Sequence, residues 1–151
     1  MHSDADAALT PEQMLDFRRL AGLMIPPDQG LGLPGADDAA IFADIVRSLG
    51  RDADHVRTAL THLAALAGGS FAECDAATRD SIAATLLAGD GPEIAALGRA
   101  VLQCYYRDDR VMQSLGLEPR PPFPKGHTIE QGDWSLLDVV RARPKMWRDA
   151  P

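Results

Sequence analysis

The side chains of this chain best suited to metal binding or nucleophilic attack are four histidines, His2, His55, His62 and His127, and two cysteines, Cys74 and Cys104. His55 and His62 are seven residues apart, about 10 Å along a helix at 1.5 Å rise per residue. One metal ion needs helical ligands at i, i+3 or i, i+4, and neither HExxH nor CxxC occurs. His2 and His127 fall in irregular sequence. Cys74 stands between Glu73 and Asp75, whose negative charges oppose a thiolate nucleophile. Cys104 lies in an apolar stretch beside Tyr105. The two cysteines could pair, but their low number and a helical setting favour free thiols packed as small apolar groups. No G-x-S-x-G elbow is present.

Gly30 to Gly35, GLGLPG, matches the letters of the dinucleotide fingerprint. That motif must follow a buried strand and open a helix whose amides face pyrophosphate. Here the preceding segment has helical periodicity and ends in Pro26-Pro27. Pro34 removes an amide, and Asp37 and Asp38 would repel the phosphates. The stretch reads as a glycine-rich connection between helices. The acidic pairs Asp37-Asp38 and Asp108-Asp109 fall at helix starts, where carboxylates favour the positive end of the helix dipole without catalysis. The expectation is therefore no catalytic, cofactor-binding or metal-binding residue in this chain.

The elements that would carry these residues are helical. Thr10-Pro11-Glu12-Gln13 is a helix start with a capping box, and Met14, Phe17, Ala21 and Met24 form a stripe, with Leu20 beside it, that ends at Pro26-Pro27. A second helix is expected from about Asp37 to Gly50, with Ile41, Ile45 and Leu49 on one face. A third starts near Asp52 to Asp54 and carries Val56, Leu60 and Leu63 to Gly68-Gly69. Ser70-Phe71-Ala72-Glu73 has the letters of another capping box. A fourth helix runs through Ile82, Leu86 and Leu87, and a fifth from Pro92-Glu93 to Tyr105. Val111 to Leu115 is read as a short turn closing at Gly116, and a last short helix as running from Asp133 or Trp134 to about Ala142. No alternating strand and no fixed-period repeat is found.

At 151 residues and 46% hydrophobic content the chain can bury one core, and with 5% aromatics that core is built from small and aliphatic side chains. The fold class expected is all-α: a compact bundle of about five helices with a Pro-rich, irregular C-terminal tail carrying one short helix. The expected division is a flexible N-terminus over 1–9, the bundle over 10–116 and a docking tail over 117–151. The net charge of −7 argues against a general nucleic-acid binder, which needs a basic face. No apolar run reaches the ~18 residues of a membrane span. No hydrophobic segment of signal-peptide type opens the chain. The expected compartment is the cytoplasm, or the periplasm where a signal has been removed or a partner supplies one.

Charge and apolar character separate along the chain. Residues 1–115 hold nine arginines and seventeen acids, a net −8, whereas 116–151 hold six basic residues and five acids, a net +1. From Leu117 onward lie six of the eleven prolines and both tryptophans. A tail with Phe123, Trp134 and Trp147 among so many prolines cannot build a core and must lie across another surface. Tryptophans are enriched among binding hot spots. Tyr105 and Tyr106 point to two faces of one helix, one inward and one available to receive the tail. The candidate partner-binding residues are Tyr105, Tyr106, Pro122, Phe123, Pro124, Trp134, Leu137 and Trp147.

Three segments carry a family resemblance. LAGLMIPPDQGLGLPGADDAAIFADIV resembles the start of the gluconate 2-dehydrogenase subunit 3 family, in which a helix meets an I-I-P-x-D segment and a P-G-A turn; the matching residues are Ile25, Pro26, Asp28, Pro34, Gly35 and Ala36. SFAECDAATRDSIAATLL is similar to its F-x-x-L-x-x-x-x-Q/R-x-x-I-L stretch. YYRDDRVMQSLG resembles Y-Y-x-D/N-x-x-V-x-x-x-I-G, at Tyr105, Tyr106, Asp108, Val111, Leu115 and Gly116. The resemblance covers residues 10–116. It implies a small subunit without cofactor that helps an FAD-dependent dehydrogenase of the glucose–methanol–choline (GMC) type to fold and stay soluble, with FAD bound in the large subunit. Exported members carry a twin-arginine signal, which is missing here. The competing expectation from the residues alone is a stand-alone helical interaction or regulatory module, monomeric or homodimeric.

Overall fold

A computed structural model describes residues 9–121, 123, 125, 126 and 130–148. The chain divides between Pro119 and Arg120 into two units. The N-terminal segment read as flexible lies outside the described residues except for Leu9.

Helix α1 (Pro11–Met24) starts as its sequence requires. The Thr10 hydroxyl accepts from the Gln13 amide and the Gln13 side chain accepts from the Thr10 amide, each at 3.1 Å, so two otherwise orphaned donors are satisfied. Its inner face is Phe17, Leu20 and Ala21, joined by the carboxylate of Asp16. A loop closed by paired Asp28 and Leu33 backbones then leads to α2 (Ala39–Arg47). This helix is shorter at both ends than its periodicity suggested, because Asp38 takes the N-cap and the chain leaves helical geometry at Ser48. Gly50, at φ +47, makes the corner, and a 3-10 turn over Gly50–Asp52 runs into α3 (Ala53–Ala67).

Helix α3 is the central element and packs on α1, α4 and α5. Val56, Ala59, Leu60 and Leu63 form its buried stripe, and Gly68 closes it in the left-handed region. Helix α4 (Ala76–Leu87) is capped by Asp75, whose side chain accepts from the Thr78 amide. Helix α5 (Pro92–Tyr105) packs against α3 and α2 and buries Ala96, Leu97, Ala100, Val101, Cys104 and Tyr105. The segment read as a turn after α5 is a helix, α6 (Asp109–Ser114), because Asp108 caps it and Val111 anchors it in the core. Phe17 and Phe42 meet edge to face at 5.5 Å between centroids, joining α1 to α2. Each large side chain fully buried in this core contributes about 1.5–3 kcal/mol.

Among the described residues of the second unit, the helical structure is a 3-10 turn over Trp134–Leu137 that continues as α7 (Asp138–Arg141). Asp133 starts it by accepting from the Ser135 amide at 3.0 Å. The fold is all-α: among the described residues there are seven α-helices, six of them in the first unit, and no strand. No helix is long and apolar enough to cross a membrane, again among the described residues.

Candidate interaction surfaces

In the second unit no described residue is buried. Trp134 is 60% and Trp147 72% exposed, and Leu136, Val139, Val140 and Met146 stand out with them. Phe123 is exposed as well, and Leu137 less so. Local contacts orient the two indoles. The Trp134 Nε1–H donates to Gln131 Oε1 at 3.1 Å, and the Lys145 ammonium lies 5.8 Å from the Trp147 ring centroid. Pro122 and Pro124, proposed as contacts on sequence grounds, lie outside the described residues. In sequence, Arg141, Arg143, Lys145 and Arg148 flank Met146 and Trp147.

The tyrosine pair divides as its spacing demands. Tyr105 is a core residue whose hydroxyl donates to the Pro34 carbonyl at 3.0 Å, and burial pushes its pKa up. Its place on the interaction surface is therefore corrected: a buried ring fixes the helix-connecting loop from inside. Tyr106 is 55% exposed, with its ring edge-on to Tyr105 at 5.3 Å between centroids, and offers the accessible face.

Three charged residues gain roles that local sequence did not signal. Asp16 is 3% exposed, and its Oδ1 accepts from the Ala72 amide at 2.8 Å and the Ser70 hydroxyl at 3.2 Å. Ser70 is thus not a helix cap; its hydroxyl turns to the carboxylate of α1, and the 3-10 turn at Phe71–Glu73 has no side-chain cap. Arg110 joins the caps of two helices, meeting Asp38 Oδ1 at 2.7 Å and Asp108 Oδ1 at 3.0 Å. The guanidinium holds both carboxylates below their ordinary pKa, and its own is raised. Arg18, exposed on α1, donates from Nε to the Asp37 carbonyl at 2.9 Å.

The glycine-rich loop has a packing function. A Cβ on Gly35 would lie 2.5 Å from Asp37 Oδ1 and 3.2 Å from the Pro27 nitrogen, so close backbone approach requires glycine there. Cys104 is buried, with its thiol pKa raised by that burial, and Cys74 is half-buried; both are free thiols. No cluster of three metal-ligating side chains occurs among the described residues.

Two hollows adjoin on α1. The larger, about 990 Å³, has Met14 and Leu15 on one side and Phe42, Val46 and Leu49 on the other. The smaller, about 310 Å³, is lined by Leu15, Arg18, Arg19 and Asp37. The two hollows share Leu15 and Arg18, so apolar surface passes into a polar end that holds Arg18, Arg19 and Asp37. No protein-family model, curated protein or solved structure matches the chain.

Proposed function

We propose that this chain is a non-catalytic small subunit that binds and stabilises the large subunit of an FAD-dependent, GMC-type dehydrogenase acting on a sugar or alcohol. The observation that carries the reading is the second unit, which exposes Trp134, Leu136, Val139, Val140, Met146 and Trp147 together. Apolar surface of that density is stabilised by covering it. The three motif segments ending at Gly35-Ala36, near Leu87 and at Leu115-Gly116 supply the class of partner. The flavin belongs to the large subunit. Binding only the folded form of that subunit shifts its folding equilibrium by mass action, and a stable interface of this kind buries at least about 1,200 Å².

A stand-alone helical module, as a monomer or a homodimer, is the second reading. It is favoured by the completeness of the bundle's own core, in which Phe17, Ile45, Leu63, Phe71 and Leu97 are fully buried within one chain.

Purification of the tagged full-length chain from its native host at endogenous level decides between them. Under the first reading a chain of dehydrogenase size co-elutes with visible flavin absorbance. A colourless, folded, single-chain eluate rejects it in favour of the second.

A further inference from the structure

The trough between α1 and α2, the larger of the two hollows, adjoins the chain that leads into α1. Leu9 lines it and is half-buried against the core. Leu9 and Met14 occupy the N′ and N4 positions around the Thr10 cap, the arrangement of a hydrophobic staple, which fixes the angle at which a chain enters its helix. The chain is thus already in the trough at the residue before the cap. Leu15, in the middle of the α1 wall, is 60% exposed. Beyond it lies the hollow of Arg18, Arg19 and Asp37, which has one positive charge in excess. Neither arginine is ion-paired among the described residues.

The sequence before Leu9 is matched to this lining. In an extended chain successive side chains point to opposite sides. Ala7 and Ala5 then share the side of Leu9, while Asp6 and Asp4 share the other with Ala8. Reach agrees with charge. Residues 11–18 of α1 span about 10 Å at 1.5 Å rise per residue. Three extended residues cover about 10 Å and five about 17 Å, so a chain doubling back at Leu9 brings Asp6 level with Arg18 and carries Asp4 past it.

We infer that the occupant of the trough is the chain's own N-terminal arm: residues 4–8 fold back from Leu9 as an extended strap. Ala7 and Ala5 lie with Leu9 against the apolar walls, and the carboxylates of Asp6 and Asp4 meet the guanidinium groups of Arg18 and Arg19 at the rim through charge-assisted hydrogen bonds. An attached segment docks without the loss of translational freedom that a separate chain incurs, and so competes at high effective concentration. The strap covers Leu15, and any partner of this face has to displace it. The assignment does not rest on the function proposed above.

The test uses the full-length chain with a diazirine-bearing leucine analogue in place of Ala5, irradiated as an equal mixture of unlabelled and heavy-isotope protein. Capture is expected on the α2 wall, at Phe42 or Val46, and between residues of the same isotope. Asp4→Lys together with Asp6→Lys should lower that yield at least fivefold with unchanged far-UV circular dichroism. Arg18→Glu with Arg19→Glu should restore it in the same background. Positions 4 and 6 precede every described helix, so the lysine pair remains informative if the arginine variant fails to fold. Capture scattered over several elements, or a yield within twofold after the lysine substitutions, overturns the strap. Capture between unlike isotopes gives the trough to a second copy and overturns it as well. Neither result bears on the accessory-subunit reading, which the flavin absorbance of a native eluate decides.

Discussion

Asp16 of α1 accepts the backbone amide of Ala72 at 2.8 Å, across 56 residues of sequence, and its carboxylate is almost sealed from solvent. The bond fixes the turn between α3 and α4 onto α1. It also meets the rule that a buried charge must be hydrogen-bonded. Replacing Asp16 by Ala leaves the Ala72 amide and Ser70 hydroxyl without their acceptor. We expect a loss of about 1–3 kcal/mol in unfolding free energy, read from urea denaturation. A loss under ~0.5 kcal/mol would mean that water replaces the carboxylate at little cost.

Arg110 makes the stability of the bundle depend on pH. Asp38 and Asp108 have folded pKa values below those of the unfolded chain, chiefly through hydrogen bonds from this guanidinium. The unfolded state therefore binds more protons as the medium is acidified. The stabilisation is fully present above the unfolded carboxylate pKa of about 3.9 and is lost as pH falls through the depressed folded values. Arg110→Ala should reduce the acid-limb slope of unfolding free energy against pH. Near neutrality it should cost about 1 kcal/mol or less, because the arginine is half exposed. Parallel acid limbs for the two proteins would show that other carboxylates govern acid unfolding.

Gly35 sits where the loop from α1 to α2 folds back on Pro27 and Asp37. Gly35→Ala should destabilise by about 1–3 kcal/mol, the usual cost of overpacking, and lower the melting temperature accordingly. Gly98, with nothing within 4 Å of a built Cβ, is the matched control. Inside α5, Gly98→Ala should stabilise, since alanine gains up to about 1 kcal/mol over glycine in a helix. Equal effects of opposite sign to these would remove the packing account of the loop.

Trp134 is held by Gln131 and otherwise stands open. On the proposed function, Trp134→Ala should weaken partner association by more than about 2 kcal/mol, a hot-spot effect, with the helicity of the isolated chain unchanged. Titration calorimetry against the co-purified flavoprotein measures it. Unchanged affinity takes this part of the tail out of the interface.

Tyr105 and Tyr106 separate structural from surface roles on adjacent residues. Tyr105→Phe removes the donor to the Pro34 carbonyl and should cost about 0.5–1.5 kcal/mol in stability. Tyr106→Phe should leave stability within ±0.5 kcal/mol. Thermal unfolding of the two single variants makes the comparison directly.

Sequence alone determined the helices whose signals are local. The Thr10-Pro11 start of α1, the Gly68-Gly69 stop of α3 and the Pro92 start of α5 each depend on residues within one turn, so they are legible without the fold. The apolar stripes through Phe17, Ile45, Leu60 and Leu97 followed from the 3.6-residue period for the same reason. Tertiary structure decided what depends on distant partners. A carboxylate in the middle of α1 looks like surface until Ser70 and Ala72 arrive beside it, and Ser70 looks like a cap until Asp16 claims its hydroxyl. Arg110 has acidic neighbours in sequence, but only packing brings Asp38 to it from 72 positions away. Which of two adjacent tyrosines faces inward, and the trough between α1 and α2, are likewise set by how helices pack rather than by any one helix. Caps and periods are contained in a few consecutive residues; pairings across the bundle exist only once its core has closed.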